Sequence, residues 1–308
     1  MKMINFSKLQ GQGNDFIIID AISMEVRIEK KEILKMCDRH FGIGADGVIL
    51  ARKLKDDCFF MDYYNADGTI AEMCGNGIRC MARFLLDKKL AEGGETLKID
   101  TRAGLKLIEF TDSSTIKDSG ADPGAGKYPE AGGRLVKVEM GNAIFEPEKI
   151  PVKINKKFLR DGFFAGEYLL KTQDGEFIIN CVSMGNPHCV IFLDESVDLD
   201  KIPLHRWGSL IENNGIFPNK TNVEFIKIKS AGEIQMRVWE RGVGETMACG
   251  TGACASVVCA ITAKKIKTTR VGVMLPGGNL TIYWEGPGSS VFLEGETGYV
   301  FEGQYFLQ

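Results

Sequence analysis

The chain has 308 residues, of which 44% are hydrophobic and 26% are charged. This balance excludes wholesale disorder and is typical of a globular protein with about two domains. Lys and Arg number 38 against 41 Asp and Glu, giving a net charge of −3, so the sequence lacks the basic excess that favours nucleic acid or an anionic membrane surface. No stretch approaches the ~20 apolar residues that cross a bilayer. Nine Cys without the spacing of a secreted scaffold indicate a reducing compartment, so we expect a cytoplasmic protein.

Most of the chain is predicted to form β-strands, because short β-branched and aromatic runs alternate with turn residues. Four segments favour helix by the spacing of their apolar residues, and the last of them is apolar almost all round, which predicts burial. On the second helix, Arg79 and Arg83 are predicted to form a solvated face. In chain order, the elements are strand 15–20, helix 29–40, strand 58–65, helix 76–90, strands 97–101, 105–110, 134–140 and 189–193, helix 203–213, strands 223–229 and 234–239, helix 251–264, and strands 271–275 and 280–284.

The stretch 113–133 is dense in Ser, Asp, Gly and Pro, which predicts a surface loop or linker. It separates two halves that carry the same motif. Met73-Cys74-Gly75-Asn76-Gly77 opens the second predicted helix, and Ala248-Cys249-Gly250-Thr251-Gly252 opens the fourth. Nine residues before each of these cysteines, a predicted strand ends, at Asn65 and at Glu240. A repeat as long as a whole domain predicts two like domains that face each other across a pseudo-twofold axis.

A cysteine directly before a helix has unusual chemistry. The first helical turn offers unpaired backbone N–H groups and a partial positive charge, which stabilise a thiolate and lower the Cys pKa. Glycines beside the cysteine allow a carboxylate to approach the same N–H groups. Two equivalent thiols suit inversion of a stereocentre next to a carboxylate, since one removes the α-proton and the other returns a proton to the opposite face. No cofactor is then required.

These motifs resemble those of the diaminopimelate epimerase family. The resemblance runs from about Phe6 to the final strands, apart from the stretch 113–133. The other segments that carry it are Gly11-Gln12-Gly13-Asn14-Asp15-Phe16, Arg39-His40-Phe41-Gly42-Ile43-Gly44-Ala45-Asp46-Gly47, Met184-Gly185-Asn186-Pro187-His188-Cys189 and Trp239-Glu240-Arg241-Gly242-Val243-Gly244-Glu245-Thr246.

The resemblance implies an α+β fold of two similar domains, each a curved, mostly antiparallel sheet around a central helix. The domains expected are residues 1–133, joined by the C-terminal strands 298–308, and residues 134–297. It also implies a cofactor-independent enzyme that interconverts LL- and meso-diaminopimelate for lysine and peptidoglycan precursor synthesis. The active site is expected in the cleft between the domains, and the protein is expected to be a homodimer.

Each motif position carries an implied role. Cys74 and Cys249 match the two acid/base cysteines, and His188 and Glu240 match residues that tune the thiols. Gly75, Asn76, Gly250 and Thr251 match the helix-start groups that hold the reacting carboxylate. Asn14, Asn65, Asn186, Asn222, Glu240 and Arg241 match side chains that hold the polar ends of the substrate. The residues themselves support this division, because a guanidinium binds a carboxylate bidentately and a carboxylate accepts from an ammonium.

The sequence departs from the family pattern at three places. Gly47 stands where the family often has Gln, so a side-chain contact there is lost or replaced. Gly141-Asn142-Ala143 replaces a more usual Gly-x-Pro turn, and the stretch 113–133 has no counterpart. None of these changes involves the two cysteines.

Nucleotide and metal sites are excluded by context. The string from Gly42 to Gly47 matches the dinucleotide fingerprint, but a helix precedes it and a strand follows, which reverses the order that a Rossmann site needs. Cys249, Cys254 and Cys259 recur every five residues, which turns each by about 140° on a helix, so they cannot share one metal-binding face. We therefore expect no metal, and we expect the remaining cysteines to be buried apolar residues.

Two other functions remain open from the residues alone. A racemase of the same architecture acting on proline or another small acid would carry the same Cys-Gly-x-Gly turns. Arg241 and the Asn residues argue against it, because proline has no second charged end for them to bind. The other possibility is a non-enzymatic redox sensor in which the two thiols form a disulfide. Epimerase activity in reductant distinguishes these functions.

Overall fold

The computed structural model describes residues 2–55, 57–91, 96–111 and 134–307. The loop expected at 113–133 lies outside the described residues. The chain forms two compact units: unit 1 contains Met1–Glu139 and Glu294–Gln308, and unit 2 contains Met140–Leu293. Each unit is an assembly of strands with two α-helices among its described residues.

The first part of the chain contains β1 (Lys2–Gly11), β2 (Asn14–Asp20), α1 (Lys30–Cys37), β3 (Gly47–Lys53), β4 (Cys58–Asn65), α2 (Gly75–Asp87), β5 (Leu97–Asp100), β6 (Lys106–Thr111) and β7 (Arg134–Asn142). The second part contains β8 (Ala165–Thr172), β9 (Gly175–Ser183), β10 (Pro187–Phe192), α3 (Leu204–Glu212), β11 (Asn222–Ser230), β12 (Glu233–Glu240), β13 (Gly244–Thr246), α4 (Gly250–Thr262), β14 (Arg270–Leu275), β15 (Gly278–Tyr283) and β16 (Ser290–Leu307). The four helices predicted from apolar spacing are confirmed, with ends that differ by up to three residues.

Both units use the same pattern of strand pairing. In unit 1, β2 pairs with β3 and β4 pairs with β5 in parallel, while β1–β2, β3–β4, β5–β6 and β6–β7 are antiparallel. The C-terminal strand β16 closes the other side of β1, also antiparallel. In unit 2, β10–β11 and β12–β14 are parallel, and β8–β9, β9–β10, β11–β12 and β14–β15 are antiparallel. The shared order confirms an α+β fold built from two similar, mostly antiparallel halves.

The helices occupy equivalent places in the two halves. Helix α1 joins one parallel strand pair of unit 1 and α3 joins the matching pair of unit 2. Helix α2 packs on β1, β2 and β3, and α4 packs on β9, β10, β11 and β15. Ten of the thirteen residues of α4 are buried, as its apolar composition predicts. No α-helix among the described residues is long and apolar enough to span a bilayer.

Continuous apolar runs in the central strands follow from burial on both faces. Ile17 and Ile19 of β2 share a core with Ile33 and Met36 of α1. Because strand side chains alternate, Phe16 and Ile18 face the other way, and both are fully buried. A strand covered on both sides has no solvent-facing positions to fill with polar residues.

Close packing surrounds the glycine at the start of β3. Gly47 begins β3, and a Cβ there would lie 2.5 Å from the Tyr64 carbonyl oxygen and 2.6 Å from the Tyr63 ring. Backbone and ring carbons at these distances leave no room for a side chain. A residue larger than glycine would therefore require the Tyr64 backbone or the Tyr63 ring to shift.

Candidate active site

Both motif cysteines are the N-cap residues of the helices they precede. Cys74 caps α2 with φ −139° and ψ 121°, and Cys249 caps α4 with φ −125° and ψ 111°. The Gly77 N–H donates to Cys74 Sγ at 3.5 Å. Each thiol therefore lies at the N-terminal end of a helix, where the backbone N–H groups of the first turn have no partner within the helix. Cys74 is partly exposed, whereas Cys249 is buried.

The second glycine of each motif serves helix packing. A Cβ on Gly77 would lie 2.9 Å from Met61 Cε and 3.1 Å from Ile49 Cδ1, both on strands of unit 1. In unit 2, a Cβ on Gly252 would lie 2.8 Å from Glu224 Oε1. The absence of a side chain thus lets each helix start lie directly against its sheet.

In unit 1, an asparagine lies beside the thiol. Asn14 Nδ2 is 4.0 Å from Cys74 Sγ, and Asn14 Oδ1 is buried without a hydrogen-bond partner among the described residues. A buried amide oxygen that lacks a partner is costly, so this atom is available to a bound donor. Asn65, at the end of β4, is partly buried and donates to Thr69 Oγ1 at 3.0 Å.

A buried guanidinium holds the first turn of α2. Arg79 Nη1 donates to the Gly75 carbonyl at 3.0 Å, and Nη2 donates to Asn76 Oδ1 at 2.9 Å and to Gln12 Oε1. The solvated position predicted for Arg79 is wrong, since the residue is completely buried. Helical side chains point back toward the N-terminus, and this direction carries Arg79 to the helix start instead of to water. Arg83, one turn on, is partly exposed and pairs with Asp87.

In unit 2, four polar residues form a chain that ends at the thiol. His188 Nδ1 lies 2.7 Å from Glu224 Oε1, and Nε2 lies 2.9 Å from Asn186 Oδ1. Asn186 Nδ2 donates to Thr251 Oγ1 at 3.3 Å. Thr251 Oγ1 lies 3.5 Å from Cys249 Sγ. The structure therefore brings together Asn186, His188, Thr251 and Cys249.

The strand end at Glu240 forms a second polar group of unit 2. Thr246 Oγ1 donates to Glu240 Oε1 at 2.5 Å. Asn222 is buried, and its Oδ1 accepts the Arg241 backbone N–H at 2.9 Å while its Nδ2 donates to the Pro187 carbonyl at 2.9 Å. The Arg241 side chain is exposed and donates only to the Asn219 carbonyl among the described residues, at 3.3 Å.

Burial governs the charge of the unit 2 thiol. It raises the pKa of Cys249 well above the ordinary value, and the carboxylates of Glu240 and Glu224 raise this pKa further. Hydrogen bonds from Thr251 and the Gly252 N–H act in the opposite direction but are the smaller causes. The Gly252 N–H at the helix start lowers this pKa as expected, but burial outweighs it, so the net shift of the Cys249 pKa is upward. Burial also raises the pKa of Glu240.

Three residues that contact a predicted site residue or the segments beside the predicted site were not predicted. Glu224 contacts His188, Gln12 contacts Arg79, and Glu212 accepts from Trp239 Nε1 at 2.8 Å and from the Gly242 N–H at 2.9 Å. Glu224 has a signal in the sequence, since it is a charge inside the apolar run from Val223 to Ile226. Glu212 and Gln12 have none, because their partners come from distant segments.

The fold of the chain matches solved structures of low sequence identity. A hydroxyproline epimerase from Agrobacterium vitis, crystallised with trans-4-hydroxy-L-proline, matches with a TM-score of 0.65 at 13% identity, over 99% of this chain and 91% of that one. A phenazine biosynthesis protein of the PhzF family from Bacillus anthracis matches with a TM-score of 0.67 at 17% identity, over 100% of both chains. At these identities the matches establish the fold alone.

The sequence identifies the family within this fold. The profile described as Diaminopimelate epimerase matches residues 6–121 and 180–300. The chain is 42% identical over 307 residues to the diaminopimelate epimerase of Halothermothrix orenii, covering 99% of each chain. It is 40% identical over 302 residues to that of Methanococcus maripaludis, covering 98% of this chain and 99% of the other. The chain belongs to the diaminopimelate epimerase family and is an amino-acid epimerase.

Proposed function

We propose that the protein interconverts LL- and meso-diaminopimelate by proton transfer between Cys74 and Cys249, without a cofactor. The observation that carries this proposal is that both thiols are N-caps at equivalent positions of two similar units. One thiolate takes the α-proton, and the electron pair of the broken C–H bond moves into the carboxylate. The opposite thiol then gives its proton to the other face of the α-carbon.

The helix starts supply the groups that hold the reacting carboxylate. We assign this role to the backbone N–H groups around Gly75, Asn76, Gly250 and Thr251, because donors fixed in a helix need no reorganisation when the enolate charge develops. The Asn76 side chain is already held by Arg79, so its contribution to binding is expected from its backbone.

The remaining assigned residues hold the polar ends of the substrate. We assign Arg241 to the remote carboxylate, since its guanidinium is exposed and makes one side-chain hydrogen bond among the described residues, to the Asn219 carbonyl. Glu240 accepts from an ammonium group, and the unpartnered Oδ1 of Asn14 accepts from another donor. Asn222 acts through the Arg241 backbone, which it holds. Asn65 and Asn186 complete the set of polar contacts.

The Cys249 thiol has neighbours that fit both of its protonation states. A hydrogen bond joins the Cys249 thiol to Glu240, and the Thr251 hydroxyl lies 3.5 Å from the same sulfur. The carboxylate accepts from the thiol, whereas the hydroxyl donates to the thiolate. Binding of a substrate ammonium near Glu240 offsets the carboxylate charge and favours ionisation of Cys249.

The proposal is tested by incubating the reduced protein with LL-diaminopimelate in D₂O and following the α-carbons by NMR with chiral analysis. We expect deuterium to enter one α-centre as the meso isomer forms, because the returning proton comes from a thiol that exchanges with solvent. Proline serves as the control substrate and should not exchange. Exchange of proline without exchange of diaminopimelate would instead identify a racemase for small cyclic amino acids.

Substitution of Glu212 is expected to weaken substrate binding. Glutamine at this position keeps one acceptor oxygen, but its amide nitrogen faces either Trp239 Nε1 or the Gly242 N–H, and two donors cannot bond to each other. The turn that carries Arg241 therefore loses one hydrogen bond. Because Arg241 is assigned to the remote carboxylate, Glu212→Gln should raise KM about tenfold and change kcat by less than about threefold.

The matched control for this prediction is Glu245→Gln on the same hairpin. Glu245 is exposed and pairs with Arg237 at 2.7 Å, a contact expected to contribute little. Steady-state kinetics with diaminopimelate compare the two variants. Equal KM values would show that Glu212 does not position the turn.

We also propose that the protein is a cytoplasmic homodimer. Within each chain, we propose that the duplicated halves are residues 1–133 with 298–308 and residues 134–297. All nine cysteines are thiols rather than disulfides, which fits a reducing compartment. Strand β16 exposes Val300, Phe301 and Phe306, and apolar residues grouped on one strand are typical of a subunit contact.

A further inference from the structure

The side chain of Asn14 depends on its own backbone for its position beside the unit 1 thiol. Its Nδ2 lies 4.0 Å from Cys74 Sγ, and its Oδ1 has no hydrogen-bond partner among the described residues. Asn14 follows a tight turn in which Gln12 and Gly13 have φ of 50° and 80°. A side chain without anchors of its own lies where its chain segment places it. The groups that fix this segment therefore decide where the amide lies.

The carboxylate of the next residue, Asp15, is held by two cations. Arg39 Nη1 donates to Oδ2 at 3.0 Å and Arg39 Nη2 donates to Oδ1 at 2.7 Å, which is a bidentate geometry. Lys8 Nζ lies 2.8 Å from Oδ2, and the Lys8 side chain is only 5% exposed. Lys8 also donates to the Gly44 carbonyl. Asp15 is thus held by a half-exposed guanidinium and by a buried ammonium.

Asp46 bonds to Asp15 through both main chain and side chain. The Asp15 N–H donates to Asp46 Oδ2 at 3.1 Å. In return, the Asp46 N–H donates to the Asp15 carbonyl at 2.9 Å and to Asp15 Oδ1 at 3.2 Å. Arg39 Nη2 also donates to Asp46 Oδ1 at 2.7 Å, so one guanidinium binds both carboxylates. Because β2 and β3 pair in parallel from Phe16 and Gly47 onward, these bonds fix the start of β2 against the start of β3.

The charge on Asp15 is needed for this arrangement. Burial raises the pKa of Asp15, but hydrogen bonds from Arg39 and Lys8 outweigh burial and hold the pKa well below its ordinary value. The group is therefore a carboxylate at neutral pH. An asparagine at this position has a single acceptor oxygen, so it cannot accept from both Arg39 nitrogens and from Lys8. The segment that carries Asn14 would then lose most of its side-chain bonds.

We propose that Asp15 is a positioning residue for Asn14: its carboxylate, held by Arg39 and Lys8, fixes the turn so that the Asn14 amide lies beside the Cys74 sulfur with its oxygen open to a donor on the substrate. This inference rests on the proposed function, in which Asn14 holds a polar end of the substrate. Asp15 acts through Asn14 and is assigned no substrate contact of its own.

Steady-state kinetics of Asp15→Asn with diaminopimelate give the first test. We expect KM to rise about tenfold and kcat to change by less than about threefold, because Asn14 is assigned to binding and both thiols are retained. The matched control is Asp20→Asn at the other end of β2, where Oδ1 accepts the Ile22 N–H at 2.8 Å and the Ser23 N–H at 2.9 Å. The control should keep both constants within about twofold of the wild type. Equal KM values in the two variants would overturn the proposal.

A double-mutant cycle separates positioning of Asn14 from a general loss of structure. Asn14→Ala alone should raise KM by about as much as Asp15→Asn does. In the Asn14→Ala background, adding Asp15→Asn should raise KM by less than about twofold, since the amide that Asp15 positions is already gone. A further tenfold rise in the double variant would mean that the two residues act independently, and the proposal would fail.

Arg39→Met is a second variant that keeps the buried pair of Lys8 and Asp15, so it leaves no buried charge unpaired. We expect its KM to rise about fivefold, because the bidentate hold on Asp15 is lost. Its control is Arg27→Met, which removes an exposed arginine that pairs with Glu25 at 2.7 Å and should leave KM unchanged. A wild-type KM in Arg39→Met would contradict the proposal.

Crystal structures of the wild type and of Asp15→Asn measure the positioning itself. We expect the distance from Asn14 Nδ2 to Cys74 Sγ, 4.0 Å in this structure, to change by about 1 Å or more in the variant, a displacement large enough to weaken a binding contact. An unchanged distance would overturn the proposal. If the wild type does not epimerise diaminopimelate but the distance still depends on Asp15, the proposed function fails and the positioning of Asn14 stands.

Discussion

Replacing either Cys74 or Cys249 with alanine is expected to abolish epimerisation. The epimerisation rate should fall at least about a thousandfold, which is within the range that a single acid–base group contributes to a reaction rate. Each variant keeps one thiol, and one thiol serves only one face of the α-carbon. We therefore expect each variant to exchange the α-hydrogen of one epimer with solvent without inverting it. The two variants should act on opposite epimers, as measured by deuterium uptake from LL- and meso-diaminopimelate in D₂O.

The chain offers matched controls on the same two helices. Cys80 and Cys254 are completely buried, one in α2 and one in α4, and neither is assigned to the site. Cys80→Ala and Cys254→Ala should retain epimerisation within about threefold, since each removes only a small buried group. Epimerisation that survives in Cys74→Ala or Cys249→Ala at a tenth of the wild-type rate would contradict a mechanism that needs both thiols.

Replacing Arg79 with methionine is expected to lower the free energy of unfolding by about 3–5 kcal/mol, the effect of removing one partner from a buried charged network. Methionine fills much of the volume but leaves the Gly75 carbonyl, Asn76 Oδ1 and Gln12 Oε1 without their buried donor. Arg79→Lys should give an intermediate loss, because an ammonium cannot reproduce the fork geometry. Urea unfolding followed by circular dichroism gives these values.

The control is Lys88→Met at the C-cap of the same helix. Lys88 is exposed and pairs with Glu302 at 2.7 Å, so its loss should change the free energy of unfolding by less than about 1 kcal/mol. Equal urea midpoints for Arg79→Met and Lys88→Met would show that the buried network does not support the helix start.

Much of the fold follows from local sequence patterns. Helix α4 is predicted because Thr251–Lys264 is apolar almost all round. Both cysteines are predicted at helix starts because each Cys-Gly-x-Gly follows a strand and precedes a helical run. The duplication is visible because each motif cysteine follows a strand end at the same distance, Cys74 after Asn65 and Cys249 after Glu240. These features depend on residues within one turn or one strand of each other, which the sequence displays directly.

The sequence by itself therefore determined the fold class, the family and the positions of the two candidate thiols. The tertiary structure decided the environment of each one. Burial raises the pKa of Cys249, because desolvation depends on what packs around a group. Arg79 is buried at the start of α2 and is not a surface charge. The contact of Glu224 with His188 likewise arises from pairing between strands 36 residues apart, which no local pattern encodes.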